Sequence, residues 1–150
     1  FIRNMAEKGI GIDVSIGLPC RDIPGLSRSL RSARSVLSLG KGLGAKGVIA
    51  ARAFTAETLI DSLSKSKKEE YISSTLKGLE SRNDFADMRE TFLAWCESPF
   101  ACAEVAEKLA MHRNSLQYRL KKIRTITRKD PWNFKDAFEL WAAFTMTKMK

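Results

Sequence analysis

The chain is predicted to be mostly α, a helical bundle preceded by a small α+β segment. Three observations carry this. Residues 10–18 and 48–54 read as short strands with one helical stripe between them. From Thr55 onward the apolar residues recur only with a helical period. Residues 108–129 hold eight basic side chains and no acidic one, directly after a short amphipathic helix.

Taken in order, Phe1 to Lys8 looks like the end of a helix. With Phe1 in place of a starting Met, the chain is expected to be a C-terminal fragment of something longer. Ile10-Gly-Ile-Asp-Val-Ser-Ile-Gly-Leu18 alternates apolar with small or polar residues, the two-residue period of a strand. Asp22 and Pro24 open a helix with Leu26, Leu30, Ala33 and Leu37 on one stripe, and Gly40 is the expected stop. Lys41 to Gly47 is a glycine-rich loop, and Val48 to Phe54 reads as a second strand. Helices follow over 56–63, 67–79, 84–97, 101–110, 113–127 and 133–149, with a domain boundary between Lys65 and Arg82. Asn133 is placed to cap the last helix, with Asp136 where the helix dipole favours a carboxylate. Phe134, Phe138, Trp141, Ala142, Thr145 and Met149 are expected on its core stripe, facing Phe85, Met88, Phe92 and Trp95.

A length of 150 residues suits one ordinary domain or two small ones, and 44% hydrophobic with 29% charged residues is a globular composition. No apolar run is long enough to cross a bilayer, so no membrane partner is expected. The formal charge of +9 favours a polyanionic partner. Residues 1–80 carry thirteen basic and eight acidic side chains, and residues 81–150 carry thirteen and nine. Both halves are equally basic, so the run at 108–129 is a local feature. Cys20, Cys96 and Cys102 show no C-x-x-C spacing, and with a single histidine the usual zinc ligands are lacking. They read as buried free thiols of a cytoplasmic protein, with no signal peptide, metal or cofactor.

The basic run is Lys108, Arg113, Arg119, Lys121, Lys122, Arg124, Arg128 and Lys129. Leu116, Leu120 and Ile123 recur at i, i+4 and i+7 and point inward, toward Val105, Ala106 and Leu109 of the preceding short helix. Ala106 is small enough to let the two backbones approach. A short helix, a tight turn and a helix cationic outside and apolar inside make a helix-turn-helix for duplex DNA. Arg113 suits a bidentate contact to guanine, and Asn114 or Gln117 the equivalent contact to adenine. Tyr118 shares the outward face. Arg119, Lys121, Lys122 and Arg124 are assigned to phosphates, and the Ser115 hydroxyl either caps its own helix or bonds a phosphate. The rival reading is a basic helix on the surface of an ordinary helical domain, solvated and without a nucleic-acid partner.

The run His112-Arg-Asn-Ser-Leu-Gln-Tyr-Arg-Leu120 resembles the His-Arg-Asn-Thr-Leu-x-Tyr-Arg-Leu signature of the PucR/CdaR family of bacterial transcriptional regulators, the carbohydrate diacid regulators among them. Met88-Arg-Glu-Thr-Phe-Leu-Ala-Trp95 is similar to the helix that precedes this signature, and Asn133-Phe-Lys-Asp136 to the start of the closing helix. Gly25-Leu-Ser-Arg-Ser-Leu-Arg-Ser-Ala33 resembles a helix of the family's GGDEF-like middle domain. The resemblance implies a partial GGDEF-like α+β region at 1–65, a helical linker at 66–82 and a Fis-like helix-turn-helix domain at 83–150. It also implies a transcriptional activator of sugar diacid utilisation, with glucarate- or galactarate-type inducers bound by an N-terminal domain absent from this chain. The full protein is expected to be a homodimer. The DNA-binding set is then His112, Arg113, Asn114, Ser115, Gln117, Tyr118, Arg119, Lys121, Lys122 and Arg124. Two departures stand out: serine replaces threonine at 115, and Arg128-Lys129 stands where the family often has Gly-Leu, which loses the easy left-handed helix stop.

Two further features point elsewhere. Gly42-Leu-Gly-Ala-Lys-Gly47 spells G-x-G-x-x-G, but a dinucleotide site needs a strand before it and a helix after, and here the order is reversed. A working nucleotide cyclase would need clustered carboxylates for metal and triphosphate, and residues 1–55 hold only Glu7, Asp13 and Asp22. No enzymatic activity is therefore expected. A degenerate cyclase-like or protein-interaction module remains the alternative for the N-terminal half, whose Arg28, Arg31 and Arg34 either hold a phosphate or simply meet water.

Overall fold

The computed structural model describes residues 11–98 and 101–149. The chain divides into two compact units, one ending at Leu63 and the other starting at Ser64. The helix expected over Phe1–Lys8 lies outside the described residues.

The first unit is built from β1 (Val14–Ile16), α1 (Ile23–Gly42), β2 (Val48–Ala50), a 3₁₀ turn (Ala51–Phe54) and α2 (Thr55–Asp61). β1 and β2 are parallel, with Val14 opposite Val48 and Ile16 opposite Ala50. Parallel neighbours need a crossover, and α1 supplies it. Asp22 caps α1 by accepting the Gly25 N–H at 2.7 Å, and Pro24 sits in the first turn, where no donor is needed.

Three expectations are corrected in this unit. The strands are shorter than their apolar runs, because β2 turns into the 3₁₀ helix at Ala51 and leaves only three paired residues. Leu26 and Leu30 are more than half exposed, while Val36, Leu39 and Gly40 are buried. A twenty-residue helix spans about 30 Å and a three-residue strand about 10 Å, so only part of α1 can be covered. That part is its C-terminal half, where Val36 joins Ile49 and Ala51 in a small core. Gly40 is a contact residue and not the stop: a Cβ there would lie 2.8 Å from Ile49 Cγ2. The stop is Gly44, at φ +86°, whose N–H reaches the Lys41 carbonyl while the Ala45 N–H reaches that of Gly40.

The second unit is all helical: α3 (Lys65–Leu76), a 3₁₀ turn (Leu79–Ser81), α4 (Phe85–Glu97), α5 (Cys102–Lys108), α6 (Arg113–Thr127) and α7 (Phe134–Lys148). α7 packs on α3 and α4, and α6 packs on α4 and α5. Met88, Phe92, Trp95, Leu116, Leu120, Ile123, Leu140 and Phe144 are almost fully buried between them. The Phe92 and Phe144 rings lie 5.2 Å apart. Asn133 does cap α7, accepting the Asp136 N–H at 3.2 Å.

Residues 66–82, expected as a linker, belong to this core. Ile72 and Leu76 are buried where α3 lies along α7, and Leu79 is buried where the 3₁₀ turn meets α4 and α6. The stripe expected on α7 is corrected in part: Ala142 and Thr145 are buried as expected, but its aromatic residues are not. The buried face of the helix also includes Ala137, Leu140 and Phe144, whereas Phe134 is 78% and Phe138 53% exposed and Trp141 only half-buried. α7 is apolar on several sides, and contact with both α3 and α4 selects which side goes in. The cysteines are not buried as a set: Cys20 is exposed, Cys96 and Cys102 are half-buried, and all three are unpaired. Desolvation pushes the Cys96 thiol up to about 12, with the Glu97 charge adding to it. Among the described residues no helix is long and apolar enough to cross a membrane.

Candidate nucleic-acid interface

α5 and α6 are joined by a four-residue turn, Leu109 to His112. Ala110 takes the left-handed conformation at φ +48°, its N–H bonding the Glu107 carbonyl at 3.0 Å while the Met111 N–H bonds that of Ala106 at 2.9 Å. This is a Schellman stop built without glycine, which costs about 1 kcal/mol for the Cβ. The turn brings α5 back onto α6, with Val105 and Ala106 buried on one helix and Leu116, Leu120 and Ile123 on the other. The leucine spacing thus fixes which side of α6 faces inward.

The start of α6 is capped by His112, whose Nδ1 accepts the Asn114 N–H at 3.2 Å. The N–H groups of Ser115 and Leu116 turn back to the His112 carbonyl. The capping role considered for Ser115 therefore falls to His112. The far end closes on Arg128, left-handed at φ +60°, with its N–H on the Arg124 carbonyl at 2.8 Å. The buried Thr127 hydroxyl secures this end by donating to the Ile123 carbonyl and accepting the Lys129 N–H. Arg128 does what a glycine would have done more cheaply.

Opposite the leucines, His112, Arg113, Asn114, Ser115, Tyr118, Lys121 and Arg124 are exposed, and Gln117, Arg119 and Lys122 are half-buried. Asn114, Ser115 and Tyr118 line one groove with Arg119 and Lys122, whose other wall is Asp84, Asp87 and Met88 of the α4 region. The Lys122 ammonium stands 5.8 Å over the Tyr118 ring.

The absence of acidic residues within 108–129 does not mean an absence of counter-charge in space. Arg119 pairs with Asp87 at 3.1 Å and donates to the Thr91 hydroxyl at 2.9 Å. Lys122 bonds Asp84, which Arg82 also holds at 3.0 Å. Lys108 pairs with Glu97, Arg124 with Asp130, and Lys129 with Glu139. Among the described residues Arg113, Lys121 and Arg128 form no ion pair. Sequence reasoning missed Asp84 and Asp87 because they lie 38 and 32 residues from their partners, where no local pattern marks them.

Residues 88–146 match the family model described as the PucR C-terminal helix-turn-helix domain. Over 152 residues the chain is 26% identical to the carbohydrate diacid regulator of Escherichia coli (strain K12), an alignment that covers 97% of this chain and 38% of that protein. The chain thus spans less than two fifths of the length of the curated relative it matches.

Proposed function

From the premise that residues 88–146 form a helix-turn-helix domain of the PucR family, we propose that this chain is the DNA-binding part of a transcription regulator, with α6 as its recognition helix in the major groove. The observation that carries the reading is the division of α6. Leu116, Leu120 and Ile123 are fully buried, and the exposed side presents Arg113, Asn114, Ser115, Tyr118 and Lys121. Arg113 and Asn114 stand at the N-terminal end of the helix, where side chains reach base edges, with Gln117 one turn further on. Lys121, Arg124 and the capping region around His112 and Ser115 serve phosphates. Arg119 and Lys122 belong to the same surface, with their charges held by Asp87 and Asp84.

The relative's name supports a finer reading. We infer that the whole protein activates genes for sugar diacid use, of glucarate or galactarate type, through an inducer domain outside this chain. One recognition helix covers only a few base pairs, so a homodimer reading half-sites about 34–36 Å apart goes with it. No catalytic role is part of this reading, and its setting is the cytoplasm.

Selection of bound sequences from random duplex DNA, run at two salt concentrations, tests the proposal. A shared motif and an affinity that falls steeply with salt are expected. Recovery of unselected DNA with no salt dependence would refute it.

A further inference from the structure

Asp84 and Asp87 occupy an unusual place for acidic residues. They form one wall of the groove whose other wall is the exposed side of α6, including Asn114, Ser115 and Tyr118. Each is bonded to a cation of α6, Asp84 to Lys122 and Asp87 to Arg119. These cations are the most enclosed charges of the set in the groove, with side chains 24% and 30% exposed, while the Asp87 side chain is 62% exposed. Ion pairs this open to water contribute little to folding. Their effect on a polyanion docked beside them is larger, because affinity for DNA rises with the number of phosphates neutralised. A carboxylate that already holds a lysine or arginine removes that contact and adds a like charge within a Debye length of the phosphates.

Resting on the reading of α6 as a recognition helix, we propose that Asp84 and Asp87 limit the affinity of this domain for DNA in general. They keep Lys122 and Arg119 off the phosphates and leave Arg113 to the base contact and Lys121 to a phosphate contact that sets register. Arg119 is additionally tied to Thr91 and to the Asp87 carbonyl. Both of these partners are neutral oxygens, which hold a guanidinium less strongly than a phosphate does, so with the carboxylates gone Arg119 exchanges them for the DNA backbone as Lys122 does. The two aspartates are specificity-determining residues that act through α6.

The test is an Asp84→Asn/Asp87→Asn variant of the whole chain, titrated against a labelled random-sequence duplex between about 50 and 200 mM salt. Each freed cation adds about 0.9 to the slope of log affinity against log salt. The variant is expected to bind random DNA more tightly than the parent. Its advantage should shrink about tenfold across that salt range if both cations reach phosphates. An unchanged or shallower slope in a variant that still binds overturns the proposal. Should the double variant lose its cooperative melt, Asp87→Asn alone carries the test with half the change in slope, and the same outcomes decide it. A parent chain that binds no duplex at low salt overturns the functional reading instead, and this inference with it.

Discussion

Trp95 Nε1 donates to the Pro131 carbonyl at 3.2 Å, a buried bond between residues 36 apart that ties α4 to the turn connecting α6 and α7. The indole is 1% exposed and meets the Trp132 ring edge-on at 6.0 Å. Trp95→Phe keeps most of the apolar volume but removes the donor, leaving the carbonyl of a buried proline without this partner. A loss of about 1–3 kcal/mol is expected in urea unfolding. A change below a few tenths would show that water replaces the indole.

His112 is the N-cap of α6 through its ring nitrogen and not through a hydroxyl or amide. His112→Ala is expected to cost about 1 kcal/mol, and His112→Asn to restore it, since asparagine is among the strongest N-caps. Thermal melts of the two variants check this. Equal melting temperatures would count against the cap.

The two aromatic sides of α7 separate in a third experiment. Phe144 is fully buried beside Phe92 and Phe85, while Phe138 is 53% exposed and stacks on Trp141. Phe144→Ala is expected to cost about 3–5 kcal/mol by leaving a cavity. Phe138→Ala should cost well under half of that, since much of its ring already meets water. The reverse order would restore the stripe read from the sequence.

Asp84 gives stability an acid dependence. The hydrogen bond from Lys122 lowers its carboxyl below the usual value of 3.8, Arg82 adds to the effect, and desolvation opposes it. A depressed carboxylate stabilises the fold above its unfolded pKa, and that contribution disappears as pH falls through the folded value. The melting temperature of the parent should exceed that of Asp84→Asn by a small margin near neutral pH, as suits a solvent-screened pair, with the gap closing as pH drops below 3.8. A gap that persists unchanged in acid would exclude the carboxylate as its source.

Arg113 and Lys121 are both exposed and free of ion pairs among the described residues, yet they should fail differently. Arg113→Ala is expected to cost about 1–3 kcal/mol on the selected sequence and relax preference at one base pair. Lys121→Ala should weaken all duplexes alike and reduce the salt slope by about 1. Competition binding with selected and random DNA distinguishes them, and identical profiles would contradict the division between base and phosphate contacts.

The sequence by itself determined the helices of the second unit, the inward face of α6 and the capping of α1 and α7, because each depends on residues within a few positions of one another. With Leu116, Leu120 and Ile123 at i, i+4 and i+7, a largely polar helix has only one side to bury. α7 was ambiguous for the opposite reason: with aromatic residues on more than one side, its own pattern leaves the choice to α3 and α4. The short strands, the half-covered α1 and the place of residues 66–82 likewise depended on what lay beside them. Only the tertiary structure decided the charge of the candidate interface. Coulombic interaction follows distance in space, and folding sets Asp84 and Asp87 against Lys122 and Arg119 across a separation that no local pattern spans.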